Sequence, residues 1–287
     1  SGRYEFPRTA SREIAMETPG NILNQAVEVL GQEDYTPLCR KMTLRIPGDH
    51  TVVAGQFCHV LTEFGTEPLL RRPFSYWDVR PGKDGDTEAD LLYTIVGEGT
   101  EALSRKKAGD QVGYLGPLGH GFTPSEKEIY IFVAGGVGIV PFYIFAKQLR
   151  ENGKSPRMVL LFGGRSKEML YGIDDFSQIG VEAYAVTEDG SRGEKGLVTH
   201  LLDKWLPRLD RESIMMYTCG PDPMMNAVVR IARREDLPCE VCMERRMGCA
   251  LGACGACVVK VKDGDDWQYS RICIEGPTYD AARLVME

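Results

Sequence analysis

Residues 129–152 read IYIFVAGGVGIVPFYIFAKQLREN and contain the clearest signal of fold in the chain. An apolar run leads into a glycine-rich turn, and apolar residues then recur at helical spacing at Phe142, Phe145, Ala146 and Leu149. Pro141 stands in the first turn of this predicted helix, where a missing N–H group is tolerated. The stretch predicts a buried strand, a tight turn and an amphipathic helix.

The same alternation continues downstream. Short apolar runs at 157–164, 181–186 and 213–220 alternate with helix-like segments at 197–206 and 222–235. We expect Asp222 to cap the last of these helices, with Pro223 as its first residue. Strands that alternate with helices predict a parallel sheet, so residues 127–237 are interpreted as one α/β domain.

Upstream, the pattern is that of a β domain. Met42, Leu44 and Ile46 alternate with polar residues, and similar short runs follow at close spacing, separated by Gly, Pro and Asp. This pattern predicts an antiparallel sandwich or barrel over residues 25–126. Residues 1–24 show no period and are interpreted as an N-terminal extension.

The C-terminal segment, 238–287, is rich in cysteine. Residues 248–258, GCALGACGACV, and the later Cys273 give the spacing C-x4-C-x2-C-x15-C, which is typical of plant-type [2Fe–2S] ligands. The four predicted ligands are Cys249, Cys254, Cys257 and Cys273. Zinc is the alternative, either on this set or on Cys239 and Cys242 combined with Cys254 and Cys257. We expect Cys239 and Cys242 instead to be buried in a strand.

Composition excludes several classes of function. With 41 acidic and 34 basic residues, the net charge of −7 argues against a general nucleic-acid-binding protein. No apolar run approaches the roughly 18 residues of a membrane span. The N-terminus lacks a secretory pattern, which favours the cytoplasm, where nine cysteines remain reduced.

Four further motifs could bind nucleotides. AGGVGIVP (134–141) places glycines between a strand and a helix, and TCGPDPMM (218–225) follows another strand end, where ligands of α/β sheets bind. RRPFSYWD (71–78) offers an arginine and a hydroxyl, and GEGT (97–100) could form a phosphate nest. Each is also compatible with a purely structural role.

Taken in order, these motifs resemble the ferredoxin–NADP reductase superfamily. With the cysteine segment, the chain from residue 25 onward looks like the electron-transfer subunits of class 1B dihydroorotate dehydrogenases. The resemblance implies an antiparallel Greek-key flavin-binding barrel, a parallel-sheet nucleotide-binding domain and a small C-terminal [2Fe–2S] subdomain. The aromatics of FSYWD stand where this family more often has small aliphatic residues, which raises a question about packing at the flavin edge.

The resemblance also implies roles for individual residues. Arg72, Pro73, Phe74 and Ser75 would hold FAD, with Arg72 on the pyrophosphate and Ser75 near the isoalloxazine. The implied flavin-lining and phosphate-binding residues are Ile95, Val96, Gly97, Gly99 and Thr100. The implied nucleotide-turn residues are Gly135, Gly136, Gly138 and Pro141. Cys219, the candidate catalytic residue, and Gly220 would lie near the nicotinamide ring.

The implied function is electron transfer. A partner subunit that contains FMN would oxidise dihydroorotate, and electrons would pass through the cluster and FAD to NAD+, in an assembly of two copies of each chain. One alternative is an FAD and [2Fe–2S] subunit of another complex, of the sulfhydrogenase or ferredoxin–NADP oxidoreductase type. Another is a zinc-binding interaction module. Arg165 and Ser166, which follow a strand, leave NADP open beside NAD.

Overall fold

The computed structural model describes residues 22–63 and 69–286, so most of the predicted N-terminal extension lies outside the described residues. Within them, the N-terminal half is a curled antiparallel sheet of seven strands in the order β4-β3-β7-β1-β2-β6-β5, with helix α1 (Glu98–Ser104) between β6 and β7. The strands are β1 Leu23–Thr36, β2 Cys39–Ile46, β3 Phe57–Leu61, β4 Arg72–Ser75, β5 Asp78–Pro81, β6 Thr87–Thr94 and β7 Gln111–Leu118.

Alternation of apolar side chains explains why this sheet curls around a core. Met42, Leu44 and Ile46 of β2 are fully buried, while the residues between them reach the surface. The sheet curls until β4 lies beside β6. The predicted antiparallel β domain is confirmed, as a curled half-barrel.

The second half is built on a parallel sheet. In the described part of the chain its order is β11-β10-β9-β8-β12-β13-β16, and only β16 runs antiparallel to its neighbour. The strands are β8 Ile129–Gly135, β9 Arg157–Gly164, β10 Glu182–Thr187, β11 Glu194–Lys195, β12 Ile214–Cys219 and β13 Cys239–Cys242, with β16 Thr278–Asp280 at the edge. The helices are α2 Val140–Glu151, α3 Asp175–Gln178, α4 Val198–Trp205 and α5 Asp222–Arg234.

The strand–turn–helix unit predicted from residues 129–152 is confirmed. Strand β8 leads into a 3₁₀ turn at Gly136–Ile139, and α2 follows with Phe142, Phe145 and Leu149 buried. The predicted cap of α5 is wrong by one residue, because Pro221 holds the cap position and Asp222 is the first helical residue. The Asp222 carboxylate instead accepts a hydrogen bond from Arg245 Nη1 at 2.8 Å.

The cysteine segment forms a small unit packed on both domains. It contains the hairpin β14 (Val258–Asp263) and β15 (Asp266–Arg271), followed by the single helical turn α6 (Ile272–Glu275). Phe57 and Leu118 of the half-barrel belong to the same apolar core as Cys257 and Ile272 of this unit. The segment is therefore held against both sheets.

A second contact fixes the half-barrel to the parallel-sheet domain. The Trp77 ring stacks on Tyr143 of α2 at a centroid distance of 4.3 Å and an interplanar angle of 6°. Next to it, Lys147 Nζ lies 2.7 Å from Asp78 Oδ1, and Tyr35 donates to Asp175 Oδ2 at 2.9 Å. Aromatic stacking and polar pairs together orient the two domains across a shared cleft.

Candidate cofactor site

An open cleft of about 950 Å³ lies where the half-barrel, the parallel-sheet domain and the cysteine segment meet. Eight of the site residues inferred from sequence line it: Arg72, Pro73, Phe74, Ser75, Val96, Thr100, Gly138 and Cys219. These residues come from four motifs that are distant in sequence. The fold therefore brings the flavin-type and nucleotide-type motifs to one cavity.

On the half-barrel side, Arg72 and Gly99 are in direct contact. A β-carbon built on Gly99 would lie 2.1 Å from Arg72 Nε and 2.3 Å from Cζ, so only glycine allows the guanidinium to occupy this position. A guanidinium packed over the start of α1 suits a pyrophosphate, which arginine binds through paired hydrogen bonds. The two motifs form one basic surface at the cleft wall.

Thr100 shapes this wall rather than presenting a free hydroxyl. Its Oγ1 accepts hydrogen bonds from the backbone N–H groups of Val96, at 2.9 Å, and Gly97, at 3.1 Å, and donates to Gly97 O at 2.9 Å. Val96 is left 82 % exposed at the cleft, whereas Ile95 packs against the half-barrel core. Thr100 thus fixes the backbone that carries Val96.

Two of the three aromatic residues of FSYWD, Tyr76 and Trp77, do not line the cleft. Tyr76 is buried in the half-barrel, with its hydroxyl 2.5 Å from that of Tyr114, and Trp77 packs on Tyr143. Phe74 lines the cleft and meets Tyr93 edge-on at 5.6 Å. The unusual aromatics therefore serve the core and the domain contact.

On the opposite wall, the glycine turn after β8 touches the end of β12. A β-carbon on Gly138 would lie 2.2 Å from the backbone oxygen of Cys219, so the approach requires glycine. Gly135 and Gly220 also lie close to each other, since a β-carbon on Gly220 would lie 3.0 Å from Gly135 N. Gly136 and Pro141 belong to the turn and the first turn of α2 and do not line the cleft.

Cys219 and Cys242 form a thiol pair at the carboxyl ends of neighbouring strands. They are register partners in the β12–β13 ladder, and both line the cleft. A hydrogen bond with the Cys242 thiol, together with burial, raises the pKa of Cys219 well above its ordinary value. Cys219 therefore presents a neutral thiol to the cavity.

Sequence reasoning missed Cys242 and Glu244 as cleft residues. Cys242 is buried in a strand as predicted, but its position beside Cys219 depends on the strand order. Glu244 keeps contact with solvent, yet desolvation by its surroundings and the nearby Asp222 raise its pKa. Both residues follow or end β13, another parallel strand, and ligands bind at the carboxyl ends of such strands. This rule could have identified them from the sequence.

The ligand cysteines inferred from spacing form two thiol pairs, three of the thiols coming from the loop before β14 and the fourth, Cys273, from α6. Cys249 interacts with Cys254, and Cys257 interacts with Cys273. In the described residues, no three His, Cys, Asp or Glu side chains are placed to hold one metal ion. Two pairs suit a two-iron cluster, in which each iron takes two protein ligands, better than a single zinc ion.

Backbone N–H groups point at these sulfurs. Leu251 N and Cys254 N lie 3.3 and 3.4 Å from Cys249 Sγ, and Gly252 N lies 3.2 Å from Cys273 Sγ. The first of these contacts is the main reason that the pKa of Cys249 is lowered to about 7. Burial nevertheless raises the pKa of Cys273, so it is the N–H groups directed at the sulfurs that fit an iron–sulfur cluster.

The cluster loop and the cleft are adjacent. Met243 and Met247, which precede Cys249, both line the cleft, and so does Pro277, which follows Cys273. The segments on either side of the ligand cysteines therefore form part of the cleft wall. No helix in the described ranges is long and apolar enough to cross a bilayer.

The strand end at Arg165 combines an engaged hydroxyl with an exposed guanidinium. The Ser166 hydroxyl donates to the Glu168 carboxylate at 2.5 Å, and Ser191 Oγ accepts from Lys167 N at 2.8 Å. The Arg165 side chain is exposed. The Glu168 carboxylate opposes binding of a second phosphate at Ser166, whereas the Arg165 guanidinium attracts one, so both NAD and NADP are compatible with this strand end.

Family models match two parts of the chain. Residues 244–285 match the iron-sulfur cluster binding domain of dihydroorotate dehydrogenase B, and residues 132–230 match the oxidoreductase NAD-binding domain. These matches cover the cysteine segment and most of the parallel-sheet domain.

Similar proteins span nearly the same length. An electron transfer subunit of dihydroorotate dehydrogenase B (NAD(+)) from Fusobacterium nucleatum is 36% identical over 236 residues, covering 81% of this chain and 87% of that protein. Its counterpart from Bacillus pumilus is 35% identical, covering 83% and 88%. Among solved structures, the NADH-dependent reduced ferredoxin–NADP oxidoreductase of flavin-based electron bifurcation aligns with a TM-score of 0.77 and 27% identity, covering 94% of this chain and 92% of that one. A Neisseria gonorrhoeae ferredoxin NADP+ reductase shares the fold, with a TM-score of 0.63, 16% identity and coverage of 74% and 91%.

Proposed function

Because this chain belongs to the family of dihydroorotate dehydrogenase B electron transfer subunits, we propose that it carries electrons from an FMN-containing catalytic subunit to NAD+. The chain is an iron–sulfur flavoprotein oxidoreductase subunit that works with FAD, a [2Fe–2S] cluster and NAD(H). As an electron transfer subunit, it acts together with a catalytic partner.

The shared cleft is the observation that supports this proposal most strongly. Its walls come from the flavin-type motifs, the nucleotide turn and the segment that leads into the cluster loop. When bound, a flavin takes two electrons to or from a nicotinamide and exchanges single electrons with an iron–sulfur cluster, so it must be close to both. The cleft provides one place where this is possible.

The residues of the chain bind and orient in this proposal. Arg72, held against Gly99, would neutralise the pyrophosphate of FAD. The turn at Gly138 lets the end of β12 approach, which places Cys219 at the cleft as a neutral thiol beside the nicotinamide position. Cys249, Cys254, Cys257 and Cys273 would hold the cluster, with backbone N–H groups directed at their sulfurs.

Reconstitution with the catalytic subunit tests the proposal. The chain would be produced together with an FMN-containing dihydroorotate dehydrogenase of the same organism, and NADH formation would be followed after dihydroorotate is added. We expect dihydroorotate-dependent NADH formation that is lost when this chain is omitted. Formation of NADH by the catalytic subunit alone would contradict the role of this chain.

One observation favours a second candidate function. The structure of the bifurcating ferredoxin–NADP oxidoreductase aligns over 94% of this chain, with a TM-score of 0.77 and 27% identity. A subunit of that kind would purify from the native host with a flavoprotein that reduces NADP with ferredoxin. Isolation of such a complex, inactive with dihydroorotate, would favour this candidate.

We further propose a cytoplasmic assembly with two copies of each chain. All nine cysteines lie in the described part of the sequence and are free thiols, as expected in a reducing compartment. Native mass spectrometry of the purified complex would give the stoichiometry, and a one-to-one pair would contradict the tetramer.

A further inference from the structure

Arg271, two residues before Cys273, is fixed by an ion pair at the edge of the cluster loop. Its backbone N–H donates to Glu275 Oε2 at 2.7 Å, its Nε donates to Oε1 at 3.1 Å, and its Nη2 also donates to Oε1. Three donors on one carboxylate leave the guanidinium little freedom. Its orientation is therefore set by α6, the helical turn that contains both Cys273 and Glu275.

The remaining arm of this guanidinium reaches the cluster loop. Arg271 Nη1 donates to the Gly252 carbonyl oxygen at 3.2 Å, and the Gly252 N–H donates to Cys273 Sγ at 3.2 Å. Gly252 has a φ of +75°, and a β-carbon there would lie 2.8 Å from Ile274 Cγ1 and 3.3 Å from Arg271 Nη1. The loop backbone is thus confined between the arginine and α6.

This connection differs from the other N–H contacts of the loop. Cys249 Sγ accepts from Leu251 and Cys254, within the same loop. The bond to Cys273 instead joins two segments that are 21 residues apart, and the bond from Arg271 Nη1 to Gly252 O joins the same two segments. Arg271, held by Glu275, therefore fixes the position of the Gly252 N–H group that donates to Cys273 Sγ.

We propose that Arg271, anchored by Glu275, is a positioning residue that sets the reduction potential of the cluster by holding the Gly252 N–H on Cys273 Sγ. This inference rests on the proposed function, because it assumes that Cys249, Cys254, Cys257 and Cys273 hold a [2Fe–2S] cluster. Reduction adds negative charge to a cluster, and hydrogen bonds to its sulfurs stabilise that charge. Loss of the bond makes the cluster harder to reduce.

The ion pair itself contributes little to folding. The Arg271 and Glu275 side chains are 44% and 40% exposed, and exposed pairs add little to stability. Substitutions here should leave the fold and the ligand cysteines in place. Their effect on the cluster can then be measured on folded protein.

Redox titration followed by electron paramagnetic resonance is the test. We expect Arg271→Gln and Glu275→Ala to lower the midpoint potential of the cluster with iron and flavin contents unchanged. At a fixed ambient potential, the ratio of reduced to oxidised cluster should fall by up to tenfold, or about 59 mV for a one-electron couple. Arg157→Gln removes a guanidinium from a pair with Glu182 whose side chains are 45% and 40% exposed. Arg157 lies on β9, far from the cluster loop in sequence, so this control should leave the potential unchanged.

The two substitutions together separate positioning from simple charge. A through-space effect would shift the potential in opposite directions, because one substitution removes a positive charge and the other a negative charge. Opposite shifts, or no shift in either variant, would overturn the inference. If Arg271→Gln fails to assemble a cluster, Arg271→Lys decides: it keeps the charge but not the planar fork, so its potential should be lowered, and a wild-type potential would overturn the positioning role. Wild-type protein without iron would overturn the cluster assignment itself.

Discussion

Gly99 has no room for a side chain, because the Arg72 guanidinium occupies the space beside its α-carbon. We expect Gly99→Ala to displace Arg72 and to lower the flavin content of purified protein severalfold. Absorbance of the released flavin, relative to protein, measures the effect. Gly31→Ala is the matched control, since a β-carbon there meets nothing within 4 Å, and equal flavin contents in both variants would contradict this role of Arg72.

His59 should make the fold sensitive to acid. Its ring is fully buried on β3, and neither ring nitrogen has a hydrogen-bond partner among the described residues. Burial, reinforced by the positive charge of Arg71, lowers the pKa of His59 to about 4 from its ordinary 6.5. Below pH 6.5 the unfolded chain binds a proton that the folded chain does not bind until about pH 4. The contribution of the neutral His59 ring to the free energy of unfolding is therefore fully present above pH 6.5. It is lost as the pH falls from 6.5 to about 4, by an amount on the order of 3 kcal/mol.

Urea unfolding at about pH 7 and about pH 5 checks this expectation. His59→Leu should keep most of its stability at the lower pH, because an apolar side chain can replace an unpaired ring without loss of hydrogen bonds. The exposed His200 supplies the control variant, His200→Leu. If His59→Leu loses as much stability between the two pH values as wild type does, the buried neutral imidazole is not the cause.

At the scale of elements, the contact between β5 and α2 orients the domains. Trp77→Ala, at a buried ring stacked on Tyr143, should lower the free energy of unfolding by about 3–5 kcal/mol. In a double-mutant cycle with Tyr143→Ala, we expect a coupling of about 0.5–1.5 kcal/mol. Tyr269→Ala, at a ring that is 62% exposed, should cost little. Strict additivity of Trp77→Ala and Tyr143→Ala would show that the stack does not join the domains.

Elements with a strong local pattern could be predicted from sequence. Two such patterns are the apolar run before Gly135 and the helical spacing of Phe142, Phe145 and Leu149, which involve only neighbours within a few residues. The corresponding elements, β8 and α2, form where they were expected. The cap of α5 was predicted at Asp222, one residue too late, because Pro221 and Asp222 can each begin a helix. Boundaries of this kind depend on small energy differences.

In the molecule as a whole, contacts between segments that are distant in sequence determine which residues meet, and local sequence patterns do not predict these contacts. The pairing of Cys219 with Cys242 follows from the position of β13 beside β12, which no local pattern specifies. Trp77 could be recognised as unusual, but its partner Tyr143 is 66 positions away in the chain. The convergence of Arg72, Gly138 and Cys219 on one cleft likewise depended on domain packing.

We propose that this chain relays electrons between nicotinamide and an iron–sulfur cluster through a flavin in the shared cleft. Anaerobic titration of the purified chain with NADH, followed by visible absorbance and electron paramagnetic resonance, tests it most directly. We predict that the flavin absorbance bleaches and that the resonance of a reduced [2Fe–2S] cluster then appears, with about two irons in each chain. Zinc in place of iron, or a flavin that NADH does not reduce, would contradict the account.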